Sequence, residues 1–177
     1  MDSFVFPRQI TTGTIYRAVF IDPNDPTGLP SSIFRFRRYS SQVEELSEFH
    51  NRHVCSAFWA DHPVVSGPEW VLKHLRRLGR GQENAVYKAD ISRLTQSRTL
   101  EGEAEAIQVE VWHWPEESGT LEEDPHVHII FSQSCYGQPD LGIQRPTASV
   151  RRQHLKLYLD RCVELTLGPD LDGGSTV

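Results

Sequence analysis

Three groups of residues carry side chains able to do chemistry. The run Glu101-Gly-Glu103-Ala-Glu105 puts three carboxylates directly ahead of the apolar stretch 106–114. A carboxylate fixed at the mouth of a strand stabilises a positive centre as it develops during bond cleavage, whereas a run of like charge is equally a solvated loop. Arg17, in an early apolar segment, offers a planar fork that grips phosphate oxygens in pairs. In DPHVHIIF, His126 and His128 alternate and therefore project from one strand face. His113 belongs to the preceding strand of an expected hairpin. The three imidazoles together would suit zinc or iron, with a position left for water; a polar strand face with solvated or hydrogen-bonded histidines uses the same residues. The segment FRFRRYS, 34–40, is basic with interleaved aromatics and fits either a small anionic ligand or a charged edge strand.

The elements that must position these groups follow from hydrophobic period and turn chemistry. TIYRAVFID, 14–22, alternates with Ile15, Arg17, Val19 and Ile21 on one face and reads as a strand. The proline-rich DPNDPTGLP that follows forbids regular structure. SQVEELSEFHNRH reads as a helix with Val43, Leu46 and Phe49 on one side. VVSGPEWVLKHLRRLG carries the signature of a second helix, with Ser66 as cap, Glu69 reaching back, Pro68 in the first turn and Gly79 as the stop. Its expected buried stripe is Val71, Leu75 and Leu78. NAVYKADISRL, AIQVEVWHW and HVHIIFSQS read as strands, the last two joined by the polar turn PEESGTLEEDP. A final helix is expected over ASVRRQHLKLYLDRCVELTL, ended by Gly168 and Pro169. Trp112 and Trp114 share a face opposite His113 and suit the core. The whole predicts an α+β domain over 1–168 with a mixed, mainly antiparallel sheet and about three helices, and a disordered tail over 169–177.

This order of elements resembles the ADP-ribosyltransferase fold, in its arginine–serine–glutamate branch related to bacterial toxins. The resemblance spans residues 14–112 and rests on Tyr16-Arg17-Ala18 in the first strand, VCSAFWA before SGPEWVLKHL, and Glu103-Ala-Glu105 ahead of AIQVEVW. It implies NAD as substrate, with Arg17, Tyr16 and Ser56 as cofactor-binding residues. It further implies Glu105 as the catalytic glutamate and Glu103 as the first acid of the pair, with a protein as acceptor or water in a glycohydrolase. The serine–threonine–serine triplet of that family is missing, with Ser56 and Ser66 as isolated candidates. A degenerate, non-catalytic interaction domain is the alternative within the same resemblance. The His-hydrophobic-His strand is also similar to the metal motif of rolling-circle replication endonucleases, for which Tyr158 in LKLYLDR would be the nucleophile.

Composition excludes more than it selects. A net charge of −6 argues against broad contact with nucleic-acid phosphates. No apolar run approaches the roughly 20 residues that cross a bilayer, so no membrane contact and a cytoplasmic location are expected. Cys55, Cys135 and Cys162 are odd in number and widely spaced, which fits buried thiols rather than a disulfide framework. GxGxxG, GxxxxGK[ST], GxSxG and HExxH are all missing.

Overall fold

The computed structural model describes residues 6–22, 24–25, 33–40, 43–50, 52–99, 106–116, 120–131, 153 and 156–169. In chain order the elements are β1 (Arg8–Ile10), β2 (Thr14–Val19), β3 (Arg37–Arg38), a 3-10 helix (Glu44–Phe49), β4 (His53–Trp59), α1 (Pro68–Arg77), β5 (Ala85–Asp90) and α2 (Ile91–Leu94). They continue as β6 (Arg98–Thr99), β7 (Ala106–Ile107), β8 (Val109–His113), β9 (His126–Phe131) and β10 (Val163–Leu167). A helical stretch at 156–160 precedes β10.

Seven strands run in the order β1-β8-β9-β4-β2-β5-β10, and β3 also pairs with β4, giving an eight-stranded sheet. Its strand pairs are antiparallel throughout, so the expected α+β class holds. Along β4, residues 54–58 pair with β9 on one side. On the other side β2 takes Phe58 and Trp59 while β3 takes His53 and Val54. The segment FRFRRYS is thus a short strand laid beside the sheet's centre, and Arg37 and Arg38 are exposed.

Period-two alternation divides the side chains between two faces. One face carries the larger core, with Ile15, Val19, Cys55, Ala57, Tyr87, Val111, Val127, Ile129 and Phe131 packed against Phe34, Ile91, Leu94 and Leu159. The other face carries two smaller clusters. Ala18, Phe58 and Val86 pack under Val71, Leu72 and Leu75 of α1, and Val54 and Ile130 pack with Leu46, Phe49 and Trp114. Trp114 is buried and Trp112 packs against it in the same cluster, so both serve the core as expected.

Local chemistry corrects several expectations. Helix α1 begins after Gly67, whose φ of 157° a side chain adopts only with strain, and no side chain caps it; Ser66 does not play that part. Leu78 lies at the end of α1 and is exposed, so Leu72 replaces it in the buried stripe. Val43 lies outside the 3-10 helix and is likewise exposed. NAVYKADISRL splits at Asp90, whose Oδ1 accepts the amide of Arg93 and caps α2. The expected last helix stops at 160, and VELTL leaves it to pair with β5 as β10. Edge pairing satisfies the backbone of β5, which outweighs continuation of a helix whose residue Leu165 would be exposed in either state. Residues 170–177, the greater part of the expected tail, lie outside the described residues.

Candidate metal centre

The β8–β9 hairpin brings Glu116, His126 and His128 together. Their ligand atoms lie within 4.8 Å of one another. Glu116 Oε1 is 3.0 Å from His128 Nε2, and Glu116 Oε2 is 3.6 Å from His126 Nε2. Register explains the placement. His126 and His128 sit opposite Phe58 and Ser56 of β4, on the sheet face between the two smaller clusters. Glu116 follows the end of β8 and turns back over them, with a side chain 32 % exposed. One side of the site is therefore wet and the other dry.

Both imidazoles are buried, His128 completely, and among the described residues neither Nε2 has a hydrogen-bond partner. The 3.0 Å approach of Glu116 to His128 is thus a close electrostatic contact off the ring's N–H direction. On the far side of its ring, His126 Nδ1 lies 2.9 Å from the carbonyl of Trp114. A carbonyl only accepts, so Nδ1 carries the proton and Nε2 presents a lone pair toward Glu116. That is the arrangement by which an outer hydrogen bond fixes a ligating histidine's tautomer.

Buried Asp124 braces the hairpin. Its Oδ2 accepts the amide of Glu116 at 2.7 Å and its Oδ1 accepts the amide of His126 at 2.9 Å. One carboxylate thereby fixes the backbone of two of the three residues in the cluster. Trp114 and Tyr39 close the side of the site, with ring centroids 4.8 and 5.8 Å from His128. Phe58 presents its edge to His126 at 6.1 Å and links it to His74 and Trp70 of α1.

The electrostatics follow from this geometry. Burial would raise the Glu116 carboxyl, but the contact with His128 and the charges of His126, His128 and Arg37 outweigh it and lower the pKa to about 2. Glu116 is an anion at any ordinary pH. Burial pushes His126 below its ordinary value, against the opposing pull of Glu116. Neutral imidazole beside a fixed carboxylate is the form in which both types of side chain bind a metal.

His113 does not join this set. It pairs with Val127 in the β8–β9 register, one position out of phase with His126 and His128, and so points through the opposite face. There it packs against Trp59 and His62 and donates from Nε2 to the carbonyl of Asp124. The expected trio of His113, His126 and His128 is corrected to Glu116, His126 and His128. Tyr158 is corrected too. It packs on the face of the larger core, away from His126 and His128, with its hydroxyl bonded to Arg98 at 2.6 Å.

Of the residues drawn from the ADP-ribosyltransferase resemblance, the described ones lie on two faces of the sheet. Arg17 donates from Nε to the carbonyl of Ile33 at 3.0 Å and from Nη1 to the carbonyl of Ser56 at 2.8 Å, on the face of the larger core. Tyr16 packs with Phe58 and α1 on the opposite face. The Ser56 side chain shares that opposite face, in register with His128. Glu103 and Glu105 lie outside the described residues. Glu110 pairs with Arg52 at 3.5 Å and accepts from Trp112 Nε1 at 2.9 Å.

Glu116 and Asp124 are the functional residues that sequence reading missed. Both sit in PEESGTLEEDP, where five acids in one turn disguise the half-exposed Glu116 and the buried Asp124. The available signal was the hairpin itself, since a carboxylate just past the end of β8 faces the start of β9. No protein-family model matches the chain, and no curated protein and no solved structure is significantly similar to it.

Proposed function

We propose that the protein is a metal-dependent enzyme whose centre holds one divalent ion on Glu116, His126 and His128. The observation that carries this reading is the pair of buried imidazoles whose Nε2 atoms have no hydrogen-bond partner, set beside an ionised carboxylate. An unsatisfied buried polar group costs about 1–3 kcal/mol, and a shared cation would remove that cost at both Nε2 atoms. Two ligands about 2.0–2.1 Å from a tetrahedral ion stand roughly 3.3 Å apart; the carboxylate–imidazole separations are 3.0 Å from Oε1 and 3.6 Å from Oε2, and the three groups' ligand atoms lie within 4.8 Å, so a small inward shift would close them on one ion.

Two histidines and one glutamate form a ligand set that leaves a position for water or substrate. A divalent ion held by these three residues would supply Lewis-acid chemistry, activating water as a nucleophile and polarising an oxygen of the substrate. The partly exposed flank of Glu116 is the side from which a substrate would arrive. Calorimetric titration of dialysed protein with zinc, and with ferrous iron under anaerobic conditions, tests the reading. One ion per chain is expected, abolished in His128→Ala. Failure of either metal to bind stoichiometrically overturns the proposal and leaves an ion-paired structural cluster.

The NAD-consuming reading rests on the order of elements alone. Its discriminating measurement is nicotinamide release by purified protein, with Glu105→Gln as the abolishing variant and Glu123→Gln as the silent one.

A further inference from the structure

The alternation of FRFRRYS has a consequence for the metal centre. Phe34 and Phe36 turn into the larger core, where Phe36 lies 4.1 Å from Phe131. Arg37 and Tyr39 turn to the other face, which is the face of Glu116, His126 and His128, and Arg35 shares their phase in the sequence. Register agrees: Arg37 pairs with Val54, and Val54 belongs to the cluster that contains Trp114. Tyr39 anchors the segment to the centre through its ring contacts with Trp114 and His128.

The two arginines are exposed, and among the described residues neither forms an ion pair. Arg52, by contrast, is engaged by Glu110 and by the carbonyl of Phe131. The charge of Arg37 nevertheless reaches the Glu116 carboxylate. A divalent ion on one carboxylate and two neutral imidazoles retains one positive charge. Two unpaired guanidinium groups on the same face raise the local charge further, in a chain whose total is −6.

We infer that the centre takes a small phosphoryl oxyanion, one oxygen on the metal and the others held by Arg37 with Arg35 beside it. This rests on the metal-centre reading above. A dianion suits the local charge, and with one oxygen on the metal a phosphoryl group still offers two to the guanidinium fork, where a carboxylate offers one. Extended contact with a nucleic-acid backbone is not implied, because the chain as a whole is acidic.

The test uses the full chain carrying one equivalent of zinc, titrated calorimetrically with inorganic phosphate, with methyl phosphate, and with acetate. Phosphate or its ester is expected to bind at least about ten-fold more tightly than acetate. Arg37→Ala should weaken phosphate by about 10- to 100-fold, the range for loss of a charge-assisted pair, while zinc affinity stays within about three-fold. Arg38→Ala, on the other side of the same strand, should leave phosphate binding unchanged. Retained zinc binding shows that each variant is folded. Zinc binding without phosphate binding, or equal effects of the Arg37 and Arg38 substitutions, overturns the inference and spares the metal centre. Absence of zinc binding in the unaltered chain defeats both.

Discussion

Glu116 Oε1 lies 3.0 Å from Nε2 of His128, an imidazole with no exposed surface. A carboxylate from beyond the end of one strand and a ring from the middle of the next meet there because Glu116 turns back over the sheet. Removing either should be felt first in metal binding. Glu116→Gln and His128→Ala are expected to weaken zinc at least about 100-fold, because each removes one of three ligands. His126→Ala should do the same. Competition against a chromophoric chelator measures all three, and unchanged affinity in any one removes that residue from the set.

Asp124 should act at one remove. Its carboxylate accepts two amides, those of Glu116 and His126, whereas an asparagine has a single acceptor oxygen. Asp124→Asn is expected to weaken zinc by about 10–100-fold, the range found for outer-shell partners of metal ligands. Stability without metal should fall by about 1–3 kcal/mol as one buried amide loses its acceptor. An Asp124→Asn protein with full zinc affinity would show that the brace is dispensable.

Acid should act in two windows. The folded Glu116 carboxyl is held at about 2 against an ordinary 4.5, so its stabilising contribution is present above 4.5 and is lost as pH falls from there toward 2. His113 is pushed below its ordinary 6.5, with burial as the main cause. The unfolded chain therefore takes up that proton first, and stability declines as pH falls below 6.5, by at most about 1.4 kcal/mol per pH unit for this one group. Urea unfolding between pH 7.5 and 5 should show a shallower slope in His113→Gln than in the unaltered protein. Parallel slopes would assign the acid sensitivity elsewhere.

Arg17 should prove structural. Its guanidinium ties β2 to the carbonyls of Ile33 and Ser56, so Arg17→Ala is expected to cost about 2–4 kcal/mol through two lost charge-assisted bonds, a range that allows for partial replacement by water. Zinc affinity should not move. Loss of stability below about 0.5 kcal/mol would free the arginine for a ligand-binding role.

How far the sequence disclosed this arrangement depended on whether a signal was local. The alternation in TIYRAVFID and HVHIIF belongs to single strands, and both strands stand where expected. The metal face required a relation between strands. His113 and His126 look equivalent in sequence, yet register opposite Val127 sends His113 through the other face. VELTL has helical neighbours, and only the vacant side of β5 made it a strand. Glu116 was hidden by charge: nothing in PEESGTLEEDP distinguishes an acid that folds over a buried histidine from one that faces water. The chain names its strands clearly, and their partners only when the sheet is assembled.

The groups that would bind the ion and those that orient them all fall between Trp114 and His128: the Trp114 carbonyl, Glu116, Asp124, His126 and His128. Closing so short a loop costs little chain entropy, and local contacts form early in folding. A metal ion could accordingly be captured by a nascent hairpin before the distant strands β2 and β4 arrive, and cell supply of that ion would then influence the yield of folded protein as well as its activity.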